Sequence, residues 1–195
     1  SDILVWIVRR QRIGSKTVKN SSVCAIVLKR SNFSEADKIV TLFTRERGKI
    51  KVVAKGTRRI KSRRAPHLEP FNLVDIVLHK GKNFDLITEA KSSEQYSLSK
   101  ENLEKTAYLF YICEVLDQIM PEEQAHPEVF EMLVQTLNKF GGSDNPQKLV
   151  KEFVVQLVWN LGYLPKGEYP KLGVTDFIDS ISERQIKSKK FLEVI

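Results

Sequence analysis

Cysteine is scarce: Cys24 and Cys113 are the only two in 195 residues. Two thiols cannot build a disulfide framework or a four-ligand metal site. Both sit among apolar neighbours, so they read as small buried hydrophobes of a reducing compartment. Long apolar runs are missing too, and no stretch approaches the ~20 residues of a membrane span. Residues 3–8 form an apolar run, but no charged segment precedes it and no small-residue cleavage site follows, so it is not read as a secretory leader. Catalytic groupings are equally absent. His67, His79 and His126 stand apart with no flanking Cys or Asp pattern of metal type. There is no Gly-x-x-x-x-Gly-Lys-Ser/Thr phosphate loop. Glu35 and Asp37 lie near a turn, where helix-start and loop-bonding roles outweigh a paired acid/base. These absences predict a cytoplasmic protein that is not an enzyme and needs no cofactor.

What is present is charge of one sign, unevenly placed. Residues 1–95 hold 21 Lys+Arg against 9 Asp+Glu, a net of +12, whereas residues 96–195 hold 11 against 15, a net of −4. A basic half implies a polyanion partner, and an acidic half argues against one there.

The texture changes at the same place. Residues 1–21 read as an N-terminal extension: 3–8 could add a strand, and Gly14-Ser15 and Asn20-Ser21-Ser22 read as loop. Residues 22–95 read as β. The run 23–28 is a buried strand, 34–37 a turn or short helical element, and 39–44 a β-branched and aromatic strand. After Gly48, Lys49-Ile50-Lys51-Val52 alternates strictly, which predicts a strand with basic side chains on one wet face. Gly56 ends it, and 57–66 is a basic loop. Val74, Ile76 and Leu78 mark another strand, Lys80-Gly81-Lys82-Asn83 a hairpin turn, and 84–90 a last strand. Several short strands in some seventy residues suggest a small barrel or sandwich.

Residues 96–195 read as helical. Leu109, Cys113 and Leu116 recur at helical spacing until Pro121. Phe130, Leu133, Val134 and Leu137 form a second stripe, opened by Pro127 and stopped by Gly141-Gly142. Asn145-Pro146 caps a third, carrying Leu149, Phe153, Leu157 and Leu161. Residues 166–173 read as loop, and 175–183 and 188–194 are weaker helical candidates.

The strongest feature runs from Arg45 to Arg64. It holds ten basic residues, Arg45, Arg47, Lys49, Lys51, Lys55, Arg58, Arg59, Lys61, Arg63 and Arg64, with Glu46 as its one acid. Charge runs are usually solvated surface, but those usually mix signs. A density of one sign repels itself unless anions are near, and closely spaced phosphates supply them. Lys49, Lys51, Lys55, Arg58, Arg59, Lys61, Arg63 and Arg64 are therefore the expected phosphate contacts. His67, beside this loop, is a surface residue or a further contact. Aromatics on the same face would stack bases. Phe33, Phe43, Phe71 and Phe84 are the candidates, though core packing is the first expectation for each.

Four blocks now fall into order: Ser34-Glu35-Ala36-Asp37-Lys38-Ile39 through Leu42-Phe43-Thr44, then Gly48-Lys49-Ile50, then Ala54-Lys55-Gly56-Thr57-Arg58-Arg59, then Leu68-Glu69-Pro70-Phe71. Their order and spacing resemble the N-terminal domain of the RecO family of bacterial recombination mediators. Leu161-Gly162-Tyr163-Leu164-Pro165 and Ile186-Lys187-Ser188-Lys189-Lys190-Phe191-Leu192 resemble helical segments of the same family. The resemblance implies an oligonucleotide-binding (OB) barrel followed by an all-helical C-terminal domain. It also implies binding to single- and double-stranded DNA and annealing of complementary strands. Further, it implies loading of a RecA-type recombinase onto DNA coated with single-strand-binding protein, with RecR and the C-terminal tail of single-strand-binding protein as partners. Many family members carry a four-cysteine zinc module after the Gly-Tyr segment. No cysteine follows Cys113 here and residues 166–173 are short, so no zinc is expected. A different reading of the same charge is an RNA- or ribosome-associated OB protein without a repair role. A nuclease and a purely structural adaptor are weaker rivals.

Overall fold

The structure, a computed structural model, describes residues 20–58, 62–96, 103–171 and 173–189. Five strands come first: β1 (Asn20–Asn32), β2 (Lys38–Thr44), β3 (Gly48–Ala54), β4 (Leu73–His79) and β5 (Asp85–Glu94). A short 3₁₀ turn, Ala65–Leu68, lies between β3 and β4. Four helices follow: α1 (Leu103–Ile119), α2 (Pro127–Phe140), α3 (Pro146–Asn160) and α4 (Val174–Ile181).

The strands close on themselves in the order β1-β2-β3-β5-β4, with β4 pairing back onto β1. All neighbours are antiparallel except β3 and β5, whose parallel seam is short: Val52 faces Asp85 and Val53 faces Leu86. β1 is long enough to serve two partners. Its first half pairs with β4 (Val23 with Ile76) and its second with β2 (Arg30 with Val40). Asn20, Ser21 and Ser22, which read as loop from their side chains, belong to this strand and face His79, Leu78 and Val77. The backbone demand of closing the barrel overrides their turn preference.

β1 also explains why residues 23–28 are apolar without interruption. Val23, Ala25 and Val27 join Val40, Leu42, Ile50, Val52, Val74, Ile76 and Leu78 in the barrel interior, and Leu68 of the 3₁₀ turn joins the same core. Ile26 and Leu28 enter a second core with Phe43, Phe71, Leu73 and the helices. A strand buried on both faces shows no alternation. α1 is buried on most of its circumference, at Ala107, Tyr108, Leu109, Tyr111, Ile112, Cys113, Val115, Leu116 and Ile119, as befits a central helix. Phe71 meets Phe110 of α1 edge-on at 4.9 Å, and Phe43 meets Phe130 of α2 at 6.0 Å.

The helix signals hold in detail. Asn145 Oδ1 accepts the Lys148 N–H at 2.9 Å, and Pro146 opens α3. Gly162 follows α3 with a left-handed φ of 77°. α4 spans Val174–Ile181. The later helical candidate at 188–194 lies mostly outside the described residues, as do residues 1–19. Cys113 is buried, whereas Cys24 is only half-buried. Burial, then the nearby carboxylates Asp75 and Glu46, push the Cys24 thiol up to about 12, so it stays protonated.

Gly48 brings the barrel backbone close to the segment joining α1 to α2. Its φ is +68°, and a Cβ placed on it would lie 1.8 Å from the Gln124 carbonyl oxygen. The next residue continues the contact, since Lys49 O accepts the Glu123 N–H at 2.9 Å. Gly48→Ala is expected to destabilise the fold by more than the ~1–2 kcal/mol of a left-handed alanine, because the collision is with backbone. Urea denaturation followed by circular dichroism checks this, and an unchanged midpoint would contradict the close approach.

Candidate nucleic-acid interface

The basic run divides into two groups with different surroundings. The first lies on the β2–β3 turn and on β3, against the segment joining α1 to α2. Arg45 Nε pairs with Glu131 at 2.9 Å, and Arg47 Nη1 pairs with Asp85 at 2.6 Å, its Nη2 reaching Glu123 at 3.5 Å. Lys49 is 6% exposed and donates from Nζ to the Asp117 carbonyl oxygen at 2.5 Å. Lys51 pairs with Glu122. β3 does turn Lys49 and Lys51 away from the barrel interior, as the alternation predicted, but that face is open only at Lys51. Phe43, opposite Lys49, is buried under the helices, and Lys49 is buried against the α1–α2 segment, whereas Lys51 stays exposed beside Glu122. The expectation of an exposed face is therefore corrected for Lys49, which is buried, and holds for Lys51, which is exposed though paired. The groups that meet them, the Asp117 carbonyl oxygen for Lys49 and the Glu122 carboxylate for Lys51, belong to the helical half, so neither the run nor its spacing could reveal the match.

Burial drives the Lys49 ammonium below its ordinary value, although Asp117 and Glu122 oppose the shift. Around it lies a cleft of about 870 Å³, walled by Ser31, Ile39, Thr41 and Lys51 of the barrel and by Met120, Tyr163 and Arg184 of the helical half. Lys29 and Arg184 share this cleft with Asp117, Glu122 and Glu183, so its charge is mixed.

The second group lies beyond β3. Gly56 takes φ +69° and donates its N–H to Asp37 Oδ1 at 2.9 Å, which ties the β3 exit to the β1–β2 loop. Arg58 reinforces the tie: its N–H reaches Ala36 O at 3.1 Å and its Nη1 reaches Ser34 O at 2.5 Å. Arg64 bridges the carbonyls of Ile87 and Lys55, joining the far end of the basic loop to β5 and β3. Lys55, Arg58 and Arg63 are exposed. Among the described residues none of Lys55, Arg58, Arg63 and Arg64 has a carboxylate partner. Arg59 and Lys61 lie outside the described residues.

The aromatic candidates divide the same way. Phe43 and Phe71 are buried between barrel and helices. Phe33 and Phe84 are not: they meet edge-on at 6.1 Å, which brings the β1–β2 loop against the β4–β5 turn. That turn carries exposed Lys80 and Lys82, read in the sequence only as a turn signal. The OB topology is what makes these two loops neighbours, and it is also where such barrels commonly take oligonucleotides. The histidines do not converge. His67 Nδ1 accepts the Ser92 N–H at 3.2 Å, His79 contacts Asn20 at 2.7 Å, and His126 contacts Glu128 at 3.1 Å. Among the described residues, no group of three His, Cys, Asp or Glu side chains is placed to hold a metal ion. No described helix is long and apolar enough to cross a membrane.

Barrel order, the plugging 3₁₀ turn and the trailing helices define an OB-fold domain followed by a helical domain. Residues 19–96 match the family described as Recombination protein O N terminal, and residues 100–169 match Recombination protein O C terminal. The chain is 35% identical over 145 residues to the DNA repair protein RecO of Symbiobacterium thermophilum, covering 74% of this chain and 57% of that protein. It is 32% identical over 142 residues to the DNA repair protein RecO of Dehalococcoides mccartyi strain CBDB1, covering 73% and 56%. The Listeria welshimeri DNA repair protein RecO is 32% identical over 140 residues, covering 72% and 55%. The chain thus belongs to the RecO family, and it spans a little over half the length of these relatives.

The ion pairs of Arg47 with Asp85, within the barrel, and of Lys51 with Glu122, across to the helical half, have a pH signature. Burial raises the Asp85 carboxyl, but the hydrogen bond and charge of Arg47, with Lys80 and the Gly81 N–H, outweigh it and hold the group below its ordinary 3.8. The Lys51 hydrogen bond does the same to Glu122, below 4.5, against a smaller opposing effect of burial. A carboxylate lowered on folding stabilises the fold above its unfolded value, and that stability is lost as pH falls through the folded value. Asp85→Asn is therefore expected to lower the thermal midpoint at neutral pH, and the gap from the parent protein to shrink in acid below the ordinary carboxylate range. Calorimetric scans across pH check this; a gap independent of pH would contradict the pairing.

Proposed function

We propose that this chain binds DNA through the loop beyond β3 and promotes the pairing of complementary strands, as a mediator without chemical catalysis. The observation that carries this reading is the group Lys55, Arg58, Arg63 and Arg64, without a carboxylate partner among the described residues and anchored on an OB barrel beside its β1–β2 loop. Arg59 and Lys61 belong to the same stretch of chain and are included in the site. Lys49 and Lys51 contribute to it only indirectly, by fixing the barrel against the helices.

Annealing asks little of a protein beyond electrostatics. Two phosphate chains repel each other, and a cationic surface that neutralises part of each lets bases meet at higher local concentration. Contacts to phosphate carry no sequence information, so binding is nearly sequence-independent and strongly salt-dependent. Residues 22–95 are the DNA-binding unit in this reading. The net-acidic residues 96–195 face protein partners: RecR, and the acidic tail of single-strand-binding protein on DNA awaiting a RecA-type recombinase. The setting is the cytoplasm, on DNA under repair. The family membership supports the repair role and argues against the ribosome-associated alternative.

Joint substitution of Lys55, Arg59, Lys61 and Arg63 by Glu is expected to abolish oligonucleotide binding in fluorescence anisotropy at near-physiological salt. In the parent protein, six phosphate contacts on a single strand would give log K against log salt a slope of about −4. Lys49→Met, by contrast, is expected to leave affinity unchanged. Loss of binding in Lys49→Met with retention in the fourfold variant would overturn the site assignment. Accelerated annealing of strands coated with single-strand-binding protein tests the mediator role, and preference for structured RNA over single-stranded DNA would favour the ribosomal reading instead.

A further inference from the structure

We infer that Phe33, braced by Phe84, is a base-stacking platform that makes the phosphate site prefer single-stranded DNA over duplex. The inference rests on the DNA-binding reading above and adds to it a specificity-determining residue.

Exposure separates Phe33 from the other candidates. It is 54% exposed, while Phe43 and Phe71 are 0% and 6%. Among the described residues it is the only large exposed hydrophobe of the barrel; Leu103, Phe110, Tyr163 and Tyr169 all belong to the helical half. A lone exposed apolar side chain needs no special explanation. Phe33 differs because it is held in place while exposed. Its ring meets Phe84 at an interplanar angle of 77°, an edge contact that fixes a ring and still leaves surface uncovered. Its N–H donates to Asp37 O at 3.1 Å, closing the loop on itself. The same loop is tied to the β3 exit by Arg58 on Ser34 O and by Gly56 on Asp37. A side chain held this way loses little further entropy on meeting a ligand.

Cations lie near the platform along the chain, of which Lys80 is paired with Asp85 at 3.7 Å. Arg58 holds the carbonyl of the residue after Phe33, and Lys80 and Lys82 lie in the turn that ends at Phe84. Cations that track the backbone, set beside an aromatic face, are the combination that binds single strands without reading their sequence. Duplex bases are already stacked and paired, so they offer no free face to Phe33. Phosphates are offered by both forms. Stacking therefore adds affinity for single strands alone.

The test is anisotropy of the full chain with an oligothymidylate, an abasic oligomer of equal length, and a duplex. Phe33→Ala is expected to weaken oligothymidylate binding by on the order of tenfold, with duplex and abasic affinities and the thermal midpoint unchanged. Phe33→Trp should retain the affinity and gain a fluorescence component quenched by the oligomer. Phe33→Leu keeps the apolar volume without the π-face, and should behave like Phe33→Ala. Unchanged oligothymidylate affinity in Phe33→Ala, with the fourfold loop variant still defective, would overturn stacking and leave the phosphate reading standing. Parent protein that bound none of the three ligands would overturn both.

Discussion

Packing of the barrel's outer face against α1 and α2 is the contact on which the remaining structure depends. Ile26, Leu28, Phe43, Phe71 and Leu73 leave the barrel on the side away from its own interior and enter the helical core. Each fully buried side chain of this kind contributes about 1.5–3 kcal/mol, whereas an exposed ion pair contributes about 0–1 kcal/mol. The apolar contact therefore holds the two halves together. The pairs Arg45–Glu131, Arg47–Glu123 and Lys51–Glu122 run between the halves and set how they meet.

That contact also decides what the basic run is for. A strand offers its residues alternately to two sides, so Lys49 and Lys51 go where β3 sends them, toward the helices. Once the helices meet that side, Lys49 is buried on the Asp117 carbonyl oxygen and Lys51 pairs with the Glu122 carboxylate. Lys55, Arg58, Arg63 and Arg64 lie beyond the strand and meet no carboxylate among the described residues. One basic run, broken only by Glu46, is thus divided: its first part joins the halves, and its second is the part proposed to meet a polyanion.

Much of this was legible in the chain. The strands from 23–28 to 84–90, the Asn145-Pro146 cap and the helical stripes follow from periodicity and turn chemistry, which are local. The pairing of Asn20, Ser21 and Ser22 with β4 was not legible, because only barrel closure demands it. The covering of Lys49 was hidden for the same kind of reason, since Asp117 and Glu122 lie some seventy residues away in sequence. Lys80 and Lys82 carried a turn signal strong enough to mask their charge. Only the OB order, which brings the β4–β5 turn against the β1–β2 loop, shows that they belong beside Phe33. The aromatics illustrate the limit well: four phenylalanines with similar local context divide into two buried and two at the surface once the helices are in place.

The account is tested most directly by hydrogen–deuterium exchange with and without a single-stranded oligonucleotide. Protection is predicted in the β1–β2 loop, in residues 55–64 and in the β4–β5 turn, with no change at 117–126 or along β3 at Lys49 and Lys51. Protection centred on 117–126 and on the covered face of β3 would contradict it, because DNA would then occupy the surface that the barrel uses to hold its helices.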